Sequence, residues 1–356
     1  MNCQIDKVWS LLLQKGLVQG SSPAIEQIES PWYVKALLAF SGWLAALFLL
    51  GFIGVGLAFI MRDHIASFVI GMMMIGSAFA MLRMPKSAFF EHLALAISLA
   101  GQALIAFAIF DIFKQDDEVA WLLIAILQAP LVAIMPNFLH RVFSSLFAAL
   151  AFSMALSSVG APYVFSGVVI FVASWLWLNE FQYPKDMERI KAIGYGLVLA
   201  LIQLKGTALF GFSGISQRAV NKQSELFIQP WMGELLASLA LLYVVWQLLQ
   251  RYGHTVSESF SMTVLFGTLV ICAASMEATG ISAGLVIILL GFSCGNRVLM
   301  GLGIASLLFY ISSYYYLLDV TLLHKAGTLL CVGLALLSMR WFMLHITARK
   351  TEVNDV

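Results

Sequence analysis

The sequence predicts an all-α fold, a polytopic transmembrane helical bundle of about 12 spans with both termini cytoplasmic. Three observations carry that prediction. First, 61% of the 356 residues are hydrophobic, only 11% are charged, and the mean hydropathy is +0.92. A soluble domain runs nearer 45–50% apolar and about 25% charged. Second, the apolar residues fall into runs approaching the ~20 residues that cross a bilayer. Third, Lys and Arg gather on alternate connections between those runs. A core of this size cannot hide so much apolar surface from water, so lipid must solvate it. A soluble enzyme, a disordered chain and a nucleic-acid binder are excluded. The balance of 20 basic and 19 acidic residues implies no strongly basic face.

Residues 1–35 read as a cytoplasmic tail. Ile5, Val8, Trp9, Leu12 and Leu13 recur at helical spacing, and Gly16 is a natural helix stop. Such a helix lies on the membrane, docks a partner or packs on the bundle's own inner ends. The mixed polar start lacks the basic-then-apolar pattern of a cleavable signal. Gly20 to Pro23 form a loop.

The bundle occupies 36–345. Its predicted spans are Ala36–Ile60, Ile65–Leu82, His92–Phe113, Val119–Met135, Val142–Val159 and Tyr163–Leu178 in the first half. Ala192–Phe212, Ile228–Leu249, Phe260–Ser275, Thr279–Ser293, Val298–Leu318 and Ala326–His345 follow in the second. The halves are 36–180 and 192–345, and 346–356 form a cytoplasmic C-terminal tail. Phe260–Ser275 and Thr279–Ser293 are short; a re-entrant pair or one fewer span is the alternative. Roughly 14 basic residues fall on the side holding both termini and about 6 on the other, which places the termini inside. The longest outer loop is about Ser213–Phe227. Pro31-Trp32 and Pro230-Trp231 look alike, weak support for an inverted repeat of the kind transporters use.

Few motifs carry chemistry. Cys3, Cys272, Cys294 and Cys331 form no C-x-x-C pair and read as small hydrophobes. No metal ligand set, cofactor loop or catalytic signature appears. Gly280/Gly284 and Gly291/Gly295 have the G-x-x-x-G spacing that lets helices approach closely in lipid. Gly301-Leu302-Gly303 has no preceding strand and is not a dinucleotide loop. Pro130, just after Gln128, frees a backbone carbonyl and predicts a kink. Glu91, His92, Glu180, Asn296 and Arg297 mark span ends, with Asn296-Arg297 placed to cap carbonyls and meet lipid phosphate.

Charges at membrane depth are more informative, because an unpaired one costs several kcal/mol. Lys205 lies roughly 12 Å from the end of its span and Glu234 roughly 10 Å from the start of the next. Glu277 occupies the turn Ser275–Thr279, and Asp319 and Lys325 flank the start of the last span. A Lys205–Glu234 or Lys205–Glu277 pair satisfies both charges. These five residues define either a polar vestibule on the outer half or structural pairs with snorkelling at the headgroups. Tyr314, Tyr315 and Tyr316 form an interfacial aromatic anchor, and Asp319 suits an N-cap.

The two ends of the chain also carry a resemblance. Trp9, Leu12, Gly16-Leu17-Val18, Gly20 and Pro23 precede Ser30-Pro31-Trp32-Tyr33-Val34, and Gly42-Trp43-Leu44-Ala45-Ala46 lies in the first span. The stretch GFSCGNRVLMGLGIASLLFYISSYYYLLDVTLLHKAGTLL spans Gly291 to Leu330. Together these resemble the bacterial multi-pass membrane family known as domain of unknown function 4401. Gly295, Asn296, Arg297, Tyr315, Tyr316, Asp319, Thr321 and Lys325 match its signature; Ala326 stands where Ser is expected. The resemblance implies a multi-pass fold in the bacterial inner membrane and a neighbour, a membrane protein with a GDYxxLxY motif. It implies no activity. Three functions remain: permease-like handling of a small solute, ion or lipid; a non-catalytic partner or scaffold in an envelope complex; and, with least support, a membrane-embedded enzyme.

Overall fold

The computed structural model describes residues 63–83, 88–159, 163–209, 230–253, 259–276 and 279–317, with isolated positions between 13 and 51 and between 321 and 341. The tail helix, the loop 213–227, Glu277, Asp319 and Lys325 lie outside the described residues, as do the first and last predicted spans apart from isolated positions. Within the described residues there are ten α-helices, one short 3₁₀ turn and no strand. In order they are α1 (His64–Leu82), α2 (Ala88–Ile112), α3 (Asp117–Ile134), α4 (Phe138–Ser158) and α5 (Val164–Leu178). After the 3₁₀ turn Glu180–Gln182 come α6 (Met187–Leu209), α7 (Pro230–Arg251), α8 (Ser259–Ser275), α9 (Ile281–Ser293) and α10 (Arg297–Leu317). An all-helical chain is the expected answer to hydrocarbon solvent, because helices satisfy their backbone hydrogen bonds internally. Seven helices, α1 to α4, α6, α7 and α10, are long and apolar enough to cross a membrane; α5, α8 and α9 are apolar but shorter.

Each helix boundary has a local cause. Asp63 caps α1, its Oδ1 accepting from the N–H of Ile65 at 2.9 Å. Asn137 caps α4, its Oδ1 accepting from the N–H of His140 at 3.1 Å. That cap explains why α4 starts at Phe138, ahead of the apolar run at Val142. The polar turn Met187–Lys191 likewise belongs to α6, ahead of Ala192. Pro130 lies inside α3, which ends one turn later at Ile134.

Consecutive helices pair closely, α1 on α2, α3 on α4 and α9 on α10, and α4 also packs on α6. Two apolar clusters form. One draws Ile75, Ile105 and Ile124 from α1 to α3, with Met135 just past the end of α3 and Ala151 of α4. The other draws Ile170 and Trp177 of α5, Leu201 of α6, Leu241 of α7, Ile287 of α9 and Leu299 of α10. The short α5 and α9 thus contribute to a shared core. Outward faces stay apolar, as Phe68, Phe107, Phe266 and Leu308 show. Such faces are what lipid contact requires.

Small residues set the closest approaches. A Cβ on Gly71 would lie 2.7 Å from the carbonyl oxygen of Gly101, and one on Gly101 would lie 2.6 Å from that of Gly71. The two G-x-x-x-G motifs divide their work differently from the interface they predict. Gly280 (φ +95°) and Gly295 (φ +62°) are turn residues in the left-handed region. Gly284 and Gly291 are the packing residues, facing Leu307 and Met300 of α10. Gly303 joins them from the other side, against Ile288. The spacing that matters is therefore seven, two helical turns along one face, rather than four.

The Gly295-Asn296 pair explains itself at the α9–α10 turn. The N–H of Asn296 donates to the Gly291 carbonyl at 2.8 Å and that of Gly295 to Phe292 at 3.1 Å. This closes α9 as a Schellman turn. The Asn296 side chain then caps the next helix, Oδ1 accepting from Val298 N–H at 3.1 Å and Leu299 N–H at 3.2 Å. The expected capping of carbonyls is thus performed by backbone N–H groups, and the side chain caps N–H groups instead. The Asn296 amide also donates to the Tyr195 hydroxyl at 2.7 Å, tying the turn to α6. Asn296→Ala should cost about 1 kcal/mol by loss of the cap, read as a lower thermal midpoint in detergent.

Candidate functional site

Three polar groupings interrupt the apolar interior. The first is the charge pair. Lys205 sits on α6 and Glu234 on α7, each four residues inside a described helix end, or about 6 Å along the axis. Lys205 Nζ donates to Glu234 Oε1 at 2.6 Å and lies 3.4 Å from the Gly233 carbonyl. Both residues are enclosed, at 3% and 1% exposure. Glu234 Oε2 is buried without a partner among the described residues. Tyr310 of α10, fully buried, donates its hydroxyl to the Ile202 carbonyl at 3.2 Å, one turn from Lys205. The sequence singled out these two charges because each stands in an otherwise apolar run. Their meeting is decided by the packing of α6 beside α7 through α5, which touches both.

The second grouping lies where α5 and α9 end. Glu180 is buried with Oε2 unpartnered among the described residues. Burial pushes its carboxyl above the ordinary value, partly offset by Lys191 and by a hydrogen bond with Cys294. The Arg251 guanidinium donates to the Leu178 carbonyl and so closes the C-terminus of α5. Cys294 donates to the Trp177 carbonyl at 3.3 Å. A carboxyl whose folded pKa is raised contributes its full stability below the unfolded value and loses it as pH rises through the folded value. Detergent-solubilised protein should therefore lose thermal stability as pH rises above the ordinary carboxylate range, and Glu180→Gln should flatten that slope. An unchanged slope in the variant would assign the loss to other groups.

The third grouping was not singled out by sequence. Gln102 of α2, Gln128 of α3 and His140 of α4 form a buried chain. Gln128 Nε2 donates to Gln102 Oε1 at 2.9 Å. Gln102 Nε2 donates to Ser98 Oγ at 3.2 Å and meets His140 Nε2 at 3.3 Å. Ser98 Oγ lies 2.7 Å from the same ring nitrogen, and Ser144 Oγ lies 3.1 Å from His140 Nδ1. The available signal was polar spacing at i, i+4 within apolar helices, Ser98/Gln102 and His140/Ser144, which puts each pair on one face.

The remaining expected site residues are dispersed. Gly295 and Asn296 build the turn described above, and Arg297 is exposed as the first residue of α10. Tyr315 and Tyr316 meet edge to face at 5.8 Å between ring centroids, and Tyr316 is exposed. Thr321 is exposed; Glu277, Asp319 and Lys325 lie outside the described residues. Cys272 is buried and free, and its thiol lies 3.5 Å from the Ser238 carbonyl. Among the described residues, no three His, Cys, Asp or Glu side chains converge as a metal site would need.

No curated protein and no solved structure matches the chain. A family model does match, over residues 31–346, a span that contains all ten helices described above. The multiple apolar helices fit a membrane-embedded, multi-pass protein. The chain belongs to the family described as Domain of unknown function (DUF4401).

Proposed function

We propose that this protein is a permease-type carrier of the bacterial inner membrane, handling a small charged solute or ion. In this reading it threads about 12 spans with both termini cytoplasmic. Lys205 and Glu234 then lie on the outer side, in a vestibule closed in the conformation described. Glu277, Asp319 and Lys325 complete its polar lining. The observation that carries the reading is the Oε2 of Glu234, without a partner among the described residues, beside a fully enclosed lysine. A purely structural pair gains most when every polar atom is satisfied. A pair that must exchange its partner for a proton or a solute charge keeps a free acceptor.

The test is charge movement in reconstituted vesicles. A step in pH or in salt should produce a transient current with the wild-type chain. The neutral pair Lys205→Met/Glu234→Leu, recovered folded, should produce none. Equal currents in the two proteins, or none in the wild type, would remove the carrier reading.

A second reading is favoured by the short connections, which among the described residues leave no soluble domain, and by the family likeness. Here the chain is a non-catalytic partner in an envelope complex with the GDYxxLxY-motif membrane protein. Purification in mild detergent should then retain that protein in fixed stoichiometry, and recovery of the chain alone would count against it.

A further inference from the structure

A cavity of about 480 Å³ opens between α2, α3, α4 and α6. It is within the ~300–1,000 Å³ range of small-molecule sites. Its walls are mostly apolar, with Phe110 and Trp121 packed edge to face at 4.9 Å. Three amides and one hydroxyl break the apolar lining: Gln102, Gln128, Gln203 and Thr207. Thr207 donates back to the Leu204 carbonyl at 3.0 Å, and Gln203 is exposed. Gln128 differs from both. It is 3% exposed, and its Oε1 has no partner among the described residues.

An amide oxygen left unpaired in an apolar wall carries its desolvation cost uncompensated. The rest of that side chain is pinned. Gln128 Nε2 is held by Gln102, which is held by Ser98 and His140, which is held by Ser144. The chain fixes the Gln128 amide within the cavity wall, with Oε1 enclosed. A polar group pinned by its neighbours in the wall of an apolar space, with one acceptor unspent, is what a preorganised recognition site consists of.

The geometry points to a binding site for an apolar molecule ending in a hydroxyl. The aliphatic part fills the cavity against Phe110, Trp121 and Leu150, and the hydroxyl donates to Gln128 Oε1. A hydroxyl both donates and accepts, so it satisfies the amide in either orientation of the Gln102–Gln128 chain. A free long-chain alcohol and a diacylglycerol share this chemistry. The site is separate from the charge pair: α6 gives Leu204 and Thr207 to the cavity, while Lys205 reaches Glu234 on α7. It stands whether or not the chain carries a solute.

Bromine-substituted probes read the site directly, because bromine quenches tryptophan fluorescence only at close range. The full chain in lipid nanodiscs is titrated with 10-bromo-1-decanol and, in parallel, with 1-bromodecane. Saturable quenching by the alcohol is expected at a concentration at least tenfold below that for the alkane. The difference between the wild type and Trp121→Phe assigns the signal to Trp121. Gln128→Leu should bring alcohol and alkane together. Ala106→Phe, which fills the cavity and leaves the amide chain intact, should abolish saturable quenching by both. Displacement of the probe by dioctanoylglycerol identifies a lipid source; displacement by 1-decanol alone identifies a free alcohol. Equal quenching by the two bromides in the wild type would overturn the proposal. So would selectivity that survives Gln128→Leu, or quenching unchanged by Trp121→Phe.

Discussion

Replacing Lys205 by Met is expected to destabilise the protein by about 3–5 kcal/mol, among the largest effects of any single substitution. The loss comes from Glu234 rather than from the attraction removed. With Lys205 gone, a carboxylate at 1% exposure would have neither a counter-ion nor water. A buried charge left uncompensated is what makes breaking such a pair costly. Glu234→Leu should be comparably harmful, because it strands the ammonium of Lys205, which among the described residues then keeps the Gly233 carbonyl at 3.4 Å. The double variant Lys205→Met/Glu234→Leu should recover most of the stability, since two apolar side chains of similar volume fit a buried environment. Thermal or denaturant unfolding of the four proteins in one detergent gives the coupling energy as a double-mutant cycle. Additive losses would show that the two charges do not depend on each other. The recovered double variant is also the folded, uncharged protein that the vesicle currents require.

The second large effect is expected at Gly291. A Cβ there would lie 2.5 Å from the backbone nitrogen of Met300 and 2.7 Å from its Cα. Backbone atoms cannot swing aside as a side-chain end does, so α9 and α10 must separate. Gly291→Leu should cost at least the ~1–3 kcal/mol typical of overpacking. It should do so while leaving α9 itself helical, because leucine is the better helix former. Gly301 supplies the control. It is exposed, and nothing lies within 4 Å of the Cβ position there. Gly301→Leu should leave the thermal midpoint unchanged or slightly raised. Equal losses at the two sites would mean that glycine flexibility, not helix contact, is being read.

The helical segments were legible because lipid enforces a simple rule. Each run of apolar residues long enough to matter became a helix among the described residues, and interior charges were conspicuous by exception. Helix starts were less legible. α4 begins at Phe138 and α6 at Met187, both ahead of their apolar runs, because capping and helix propensity extend a helix into polar sequence that hydropathy discounts. Gln102, Gln128 and His140 were missed for a related reason. Neutral polar residues are tolerated on many membrane helices, so one alone signals little. Their significance comes from three helices bringing them within hydrogen-bonding distance.

The glycines show the same division. Spacing alone marked Gly280, Gly284, Gly291 and Gly295 as contact residues. Only the packed structure separates Gly284 and Gly291, which touch α10, from Gly280 and Gly295, which turn the chain. Gly303 had no partner in any motif, yet a Cβ there would lie 2.7 Å from the Ile288 nitrogen, a tighter approach than at Gly284.

Composition and apolar run length thus determined the solvent of this protein and its helical class, because transfer to hydrocarbon is a property each segment has alone. Tertiary structure decided that Lys205 meets Glu234, which glycines touch, and that Gln128, whose Oε1 has no partner among the described residues, lines a cavity. Those outcomes depend on distances of a few ångströms between helices far apart in the chain, and short-range forces are settled only when both partners are in place.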